Sequence, residues 1–411
     1  MSKQRTARVL VAAGGGVAAM KTPFLLRRLR EAGHEVRALA SERALAFTTE
    51  NALAVAAGGP VATEARWFAP EGGALHLELA RWADLLVVAP ATAAGLARAA
   101  AGLAEDLLTA TILGGARKVL WAPAMNPEMW QHPATQANVQ RLREWGHAFV
   151  GPEHGALAAV GEGEGLGRMS EPETIVEHVR YHLTPKDLAG RTVLVSAGPT
   201  REYIDPVRFI SNPSSGKMGY AVAEAARDRG ARVVLVSGPT ALPEPWGVEV
   251  VRVERAVEMH EAMLEHFPEA DAVVMAAAVA DWQPASTASE KTPKKSGKNL
   301  LELVPTPDIL AELGRRKTHQ VLVGFAMETR AGHERARAKL ERKNLDFICL
   351  NFPTRAASAF GGDHNEVEML FPDGSVEATG RVSKREVADR ILDHVRDRLR
   401  TKEAERHAEQ R

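Results

Sequence analysis

Residues 8–40, RVLVAAGGGVAAMKTPFLLRRLREAGHEVRALA, pass from an apolar strand through three glycines into an amphipathic run, then through Gly33 into a second strand. Strand, glycine-containing turn, helix, glycine cap and strand make a βαβ unit, because glycine readily takes the left-handed backbone that closes a helix. The pattern returns in the second half. TVLVSAGPT (192–200) leads through a long polar loop to an amphipathic run over 218–229, then Gly230 and ARVVLVSG (231–238). Short all-apolar strands predict parallel sheets covered on both faces. More follow in each half: DLLVVAP (84–90) and KVLWAPA (118–124), then DAVVMAAAVAD (271–281), QVLVGFA (320–326) and LDFICLN (345–351). The expected fold class is α/β, with two doubly wound, Rossmann-like domains, mainly parallel sheets, and ligands at the C-terminal strand ends.

A chain of 411 residues exceeds one ordinary domain. A helical pattern ending near Leu183, followed by a Thr-Pro-Lys linker, predicts domains 1–187 and 188–411. Lys+Arg and Asp+Glu are both 52, which argues against nucleic acid or an anionic membrane as a bulk electrostatic partner. The single cysteine, Cys349, excludes an internal disulfide and a multi-cysteine zinc site. It reads as core, and the chain as one suited to a reducing cytoplasm. Val9 to Met20 resembles a signal peptide, but three glycines break the run, and no stretch approaches the ~18 apolar residues of a spanning helix. A soluble cytoplasmic protein is expected. The segment SEKTPKKSGKN (289–299) reads as a mobile loop, and the tail TKEAERHAEQR (401–411) as a frayed helix end without function.

In the first half, the glycine loop leads into a helix whose free N–H groups suit a phosphate. Its spacing is not GxGxxG, and a tight turn uses glycine anyway. Three further motifs add to it: HLELARWADLLVVAPATA from His76, PAMNPEMW at 123–130, and GEGEGLGRM at 161–169. Together they resemble the homo-oligomeric flavin-containing cysteine decarboxylases, of the phosphopantothenoylcysteine decarboxylase type, over nearly all of residues 5–180. The resemblance implies FMN across the strand ends, contacting Gly15, Gly16, Ser41, Ala91 and Thr92. It implies catalytic roles for His76 and Asn126. Thiol oxidation by FMN gives a thioaldehyde that loses CO2 readily. A histidine near neutral pKa can handle the proton or steady the carboxylate, and an amide can donate to that carboxylate without adding like charge. The family usually carries a proton-donating cysteine just before the GxGRM segment. Here the loop reads GALAAVGEGEGLGRM, and the corresponding stretch, near Ala159–Gly161, has no side-chain donor. Glu162, Glu164 or water are the substitutes available.

In the second half, SSGKMG (214–219) places small residues and a lysine before a helix, where backbone N–H groups can cradle phosphate. It does not match GxxxxGK[ST], so a P-loop is disfavoured, and an ordinary helix cap looks the same. The longer segment AGPTREYIDPVRFISNPSSGKMGYAVAEAA (197–226), with AAAVADW (276–282), EKTPKK (290–295), TPDIL (306–310), GFAMET (324–329) and KLERKNLD (339–346), is similar to phosphopantothenate–cysteine ligase over roughly residues 188–395. The likeness implies that CTP activates 4′-phosphopantothenate as an acyl-cytidylate and that cysteine then displaces CMP. It assigns Asn212 to the acyl intermediate and Lys291 to the charge that develops on reaction. The nucleotide would contact Ala276, Ala277, Asp281, Thr306, Pro307, Asp308, Ile309, Phe325, Lys339 and Lys343. Carboxylate and triphosphate are both anions and must be screened before reacting, so Mg2+ is expected on the phosphates, with Asp281 its candidate ligand. Lys291, Lys294 and Lys295 in a polar loop also read as solvated charge. Lys339 and Lys343, i and i+4, also read as an exposed basic face. Asp281, ending an apolar run, reads as a carboxylate that is costly unless used. Arg201 and Asp205 read as loop-forming residues.

The combined reading is a bifunctional enzyme of coenzyme A synthesis, in which the second half ligates and the first decarboxylates. The small-molecule partners are 4′-phosphopantothenate, cysteine and CTP. The resemblance implies a homo-oligomer, trimeric in the first half and dimeric in the second. Two alternatives stand beside it: an active ligase with a flavin-binding but impaired or regulatory first half, and a Rossmann NAD(P) oxidoreductase. The latter needs a GxGxxG loop and a later acidic residue, which neither half offers cleanly.

Overall fold

The computed structural model describes residues 6–70, 73–157, 161, 163–291, 300–327, 332–351 and 361–409. The chain divides into two compact units, Met1–Thr184 and Pro185–Arg411. In the first, the strands are β1 (Arg8–Ala13), β2 (Glu35–Ala40), β3 (Val61–Ala62), β4 (Leu85–Ala91), β5 (Val119–Pro123) and β6 (Ala148–Phe149), with a hairpin of β7 (Glu153–Ala156) and β8 (Glu164–Arg168). Their order is β3-β2-β1-β4-β5-β6, and every pairing in that sheet is parallel. Alternation of side chains decides which face each residue serves. Val9 and Val11 of β1 join Leu25, Leu29 and Ile175 on one face, while Leu10 and Ala12 join Leu96, Leu107 and Val139 on the other. Burial on both faces is why the strands read as unbroken apolar runs.

The second unit contains β9 (Thr192–Ala197), β10 (Arg201–Tyr203), β11 (Phe209–Ser211), β12 (Arg232–Ser237), β13 (Glu249–Arg252), β14 (Ala272–Met275), β15 (Trp282–Pro284), β16 (Leu303–Pro305), β17 (Val321–Met327), β18 (Phe347–Asn351), β19 (His364–Leu370) and β20 (Val376–Ser383). The main sheet runs β13-β12-β9-β14-β17-β18-β19-β20, parallel as far as β18 and antiparallel beyond it. The antiparallel end was not anticipated from sequence. Its strands are half exposed, and polar residues interrupt the apolar run that marked the others. The run 271–281 also divides. Only Ala272–Met275 is strand, and the alanines after it form a loop.

Among the described residues no helix is long and apolar enough to cross a membrane. Cys349 is fully buried on β18, and burial pushes its thiol up, as a core residue requires. Asp205 forms its loop by accepting from the N–H groups of Val207 and Arg208, each at 2.9 Å. Lys294 and Lys295 lie outside the described residues.

The tail corrects an expectation. One helix, Lys384–Glu409, runs through 401–409 and is fastened near its end. Val387, Ile391 and Val395 bury its inner stripe. Lys402 Nζ reaches Asp346 Oδ1 at 2.9 Å, and Glu403 pairs with Arg191. Asp346 is 5% exposed and also meets Lys317 Nζ at 3.0 Å, Arg398 Nε at 3.2 Å and the Leu322 N–H at 2.8 Å. Burial alone would raise its carboxyl, but the Leu322 N–H and the two lysines outweigh it and hold it below the ordinary carboxylate range. The stabilisation is therefore complete above the ordinary Asp pKa of about 3.9 and is lost as pH falls through the folded value. Asp346→Ala strands largely buried cations and is expected to cost about 3 kcal/mol in denaturant unfolding at neutral pH. A chain ending at Arg400 is also expected to unfold at lower denaturant. A frayed, functionless tail would leave that midpoint unmoved.

Candidate functional site

In the first unit the chain leaves β1 toward β2 on one side, while β4 lies on the other, so a crevice opens beyond the C-terminal ends of β1 and β4. There the Gly14 N–H donates to Pro90 O at 3.1 Å, and a Cβ on residue 14 would fall 2.4 Å from that oxygen. Only glycine allows this approach. Ser41 Oγ, at the end of β2, donates to Ala13 O at 3.3 Å. Thr92 caps the helix Ala93–Ala100 through Gly95 N. Asn126 caps Pro127–Gln131, its Oδ1 accepting from Glu128 N at 2.9 Å. The β7–β8 hairpin closes over that turn through the Met125 N–H to Gly167 O, at 3.0 Å.

These ends enclose a cavity of about 1250 Å³ lined by Gly15, Gly16, Ser41, Thr92 and Asn126 of the expected set. Ala91 is buried between the lining residues Pro90 and Thr92. At the wall Lys21, Arg98 and Arg168 are paired with Glu171, Asp106 and Glu153, Arg43 can serve a phosphate, and Phe47, Leu108 and Met129 suit an apolar ring system. The cavity therefore fits a flavin nucleotide in both size and chemistry. His76 is not among its lining residues. It sits in the helix Leu75–Trp82, half-buried, its ring 5.4 Å from that of Trp67 and its Nδ1 buried without a partner among the described residues. Ala159 and Glu162 lie outside the described residues, while Glu164 is exposed on β8.

In the second unit the corresponding switch falls between β9 and β14. Met275 is the last ladder residue, and the chain then continues as the loop 276–281, held by side chains. Ala277 N donates to Ser196 Oγ at 3.1 Å and Ala280 N to Thr200 Oγ1 at 3.0 Å, while Thr306 Oγ1 donates to Ala280 O at 2.6 Å. Asn212 Nδ2 donates to Val279 O at 3.1 Å. The structure thus brings Asn212, Ala276, Ala277, Asp281 and Thr306 to one loop, with Phe325 on the neighbouring β17. After Pro307, Asp308 caps Ile309–Arg316 and pairs with Lys343 Nζ at 2.8 Å. Lys343 lies just past the helix Gly332–Arg342, whereas Lys339 lies within it. Burial would raise the Asp308 carboxyl, but Lys343 outweighs it and lowers it. Lys291 is exposed. Asp281 is exposed too, in a loop and not in a strand, so its carboxylate is solvated and bears no burial cost. Lys217 of SSGKMG is engaged by Asp363 Oδ1 at 2.7 Å and Gly361 O at 2.9 Å. Among the described residues no group of three or more His, Cys, Asp or Glu converges as a metal site. The sequence reading missed the hydroxyls of Ser196 and Thr200, whose only sequence signal was polarity at the end of an apolar strand. It also missed Glu64 in the first cavity.

Comparison with known proteins supports both halves. Residues 1–184 match the flavoprotein family model, and residues 188–399 match the DNA/pantothenate metabolism flavoprotein C-terminal domain. The coenzyme A biosynthesis bifunctional protein CoaBC of Mycobacterium bovis is 45% identical over 405 residues, covering 94% of this chain and 96% of the relative. The CoaBC protein of Bacillus subtilis is 41% identical over 391 residues, with the same coverage. Among solved structures, the C-terminal domain of a CoaBC protein is 44% identical, covers 53% of this chain and 99% of its own, and has a TM-score of 0.46.

Glu64 Oε1 accepts from Leu107 N at 3.3 Å, but Oε2 is buried with no partner among the described residues. Burial first, then Asp106 and Glu42, push its carboxyl up. Its contribution to stability is therefore full below the ordinary Glu pKa of about 4.3 and is lost as pH rises through the folded value. Glu64→Gln, neutral throughout, is expected to lose less stability than the wild type between about pH 4 and pH 7, read as Tm of flavin-free protein. Parallel pH curves for the two would exclude a raised Glu64.

Proposed function

This chain belongs to the CoaBC family of bifunctional coenzyme A biosynthesis proteins, and from that premise we propose a division of labour: residues 188–411 ligate, and residues 1–187 decarboxylate. The observation that carries the reading is the match to bifunctional relatives along 94% of the chain, with a switch point in each sheet and a cavity at the first. A first half that merely scaffolds or regulates the ligase is not favoured, since the relatives carry the bifunctional name over the same span.

In the ligase half, CTP and Mg2+ would occupy the crevice beside the loop 276–281. The first two alanines of that loop leave room for backbone approach. Thr306, bonded to Ala280 O, would flank that loop together with Pro307, Asp308 and Ile309, and Phe325 would supply an apolar wall. Lys291, Lys339 and Lys343 would screen the meeting of carboxylate and triphosphate. Lys343, paired with Asp308 at 2.8 Å, has further N–H donors to offer a phosphate. Asn212 would hold the acyl intermediate until the amine of cysteine displaces CMP. An exposed Asp281 would suit a magnesium ion that screens the nucleotide's phosphates.

In the decarboxylase half, FMN would lie on Gly15, Gly16, Ser41, Ala91 and Thr92, and when bound it supplies the thiol oxidation that makes carbon dioxide a leaving group. Asn126 lines the cavity with its Oδ1 accepting from Glu128 N, and its amide would donate to the substrate carboxylate. His76, away from the cavity wall of its own unit, would serve in a homo-oligomer, trimeric in this half and dimeric in the other. Localisation would be cytoplasmic.

The test supplies purified chain with 4′-phosphopantothenate, cysteine, CTP and Mg2+, and scores pyrophosphate and CO2 separately. Both are expected. Asn212→Ala should lower pyrophosphate release at least about a hundredfold. His76→Asn and Asn126→Ala should keep that release and lose CO2 to a similar degree. A colourless protein that leaves CTP intact would overturn the reading.

A further inference from the structure

The second unit buries a polar cluster that the ligation scheme above does not use. Tyr220, on the helix Lys217–Asp228, is 3% exposed. Its hydroxyl accepts from Arg252 Nη1 at 3.0 Å and from Thr240 Oγ1 at 3.2 Å, and lies 3.1 Å from Ser237 Oγ. A phenol has two lone pairs and one proton. With Arg252 and Thr240 filling the acceptor sites, the Tyr220 proton goes to Ser237, which donates in turn to Gly238 O at 2.9 Å. Every donor has one direction, and the Thr240 rotamer is fixed by the bond its hydroxyl makes.

That bond aims the Thr240 methyl at two turns. A Cβ on Gly216 would fall 2.6 Å from Thr240 Cγ2, and one on Gly198 would fall 3.0 Å from it. Both glycines are left-handed, with φ of 75° and 76°. Gly198 O accepts from Ala278 N at 2.9 Å, so the first turn carries the loop 276–281. Gly216 ends the segment that begins at Asn212, so the second turn carries the other side of the ligase crevice.

We propose that Tyr220 and Thr240 are positioning residues of the ligase site: the shared hydroxyl network holds the Thr240 methyl against both Gly198 and Gly216 where these turns meet, and so sets the spacing of the Asn212 segment against the loop 276–281. Neither residue need touch substrate. The proposal rests on the ligase reading and adds to it the element that holds the two binding loops in register.

The test uses the full chain and initial rates of pyrophosphate release, with phosphopantothenate and CTP each varied at saturating levels of the other. Tyr220→Phe and Thr240→Val are each expected to raise KM for at least one of the two about fivefold while kcat stays within about twofold. The double variant should be no worse than the worse single, because both remove the same bond. Thr240→Ser keeps the hydroxyl and deletes the methyl, and should raise the same KM. If Tyr220→Phe does not fold, the two Thr240 variants decide. Unchanged KM in the Thr240 variants, a double variant equal to the product of the singles, or a fall in kcat alone with lowered Tm would overturn the proposal and leave the cluster a core feature. A wild-type chain that releases no pyrophosphate overturns the ligase reading, and the proposal with it.

Discussion

Where two parallel strands part at a switch point, the backbone groups beyond the last ladder pair lose their partners, and burying them unpaired costs a few kcal/mol each. Both units are organised around that constraint. In the first, the Gly14 N–H takes Pro90 O across the gap. In the second, Ser196 Oγ, Gly198 O and Thr200 Oγ1 successively replace the ladder for Ala277, Ala278 and Ala280. Each solution needs small residues near the strand ends, and small residues leave a crevice. Each crevice is thus a direct consequence of ending a parallel ladder without an orphaned amide.

The rest of each unit keeps those ends fixed. Two buried layers clamp each sheet, so the strand ends cannot drift independently. In the second unit, charge adds to packing. Arg227, 3% exposed, is paired with Asp228 and lies 4.2 Å from the Trp246 ring centroid. Asp228 also binds Arg385 of the C-terminal helix, and Asp187 binds Arg229 and Arg396. These pairs tie the chain's last helix to the one that follows the SSGKMG turn. Buried pairs of this kind contribute little net stability but are expensive to break singly, which suits fixing one arrangement more than deepening it.

Much of this was legible in the sequence. Strands buried on both faces announce themselves as apolar runs, and glycine-capped helices between them dictate parallel order, so β1, β2, β4, β5, β9, β12, β17 and β18 fall on the segments read from Val9, Leu39, Val87 and their like. The antiparallel β19 and β20 did not, since half-exposed strands carry mixed residues. Nor did the break after Met275: five apolar residues in Ala276–Ala280 read as strand, and only Ser196 and Thr200, distant in sequence, reveal that side-chain hydroxyls have replaced the ladder. The tail misled for the same reason. Lys402 and Glu403 look like solvated charge until Asp346 and Arg191 are placed beside them. Within the sites, glycines and caps were readable because their roles are local, whereas Glu64 and Tyr220 act through contacts 17 to 43 residues away.

Asn212 illustrates how such a scaffold can hold a reactive group without spending it. Its amide nitrogen donates to Val279 O at 3.1 Å and more weakly to Ala278 O at 3.5 Å, so both donor directions face the loop. An acyl-cytidylate offers acceptors and negative charge, which the amide carbonyl cannot stabilise. In the proposed role, binding it would require the amide to exchange loop carbonyls for the ligand. Asn212 is exposed, so the bonds given up are worth only about 1 kcal/mol, and water can satisfy the carbonyls released. A bond to a charged acceptor is worth roughly twice a neutral one. In that role the exchange would run toward the anion when it is present and back to the loop when it leaves.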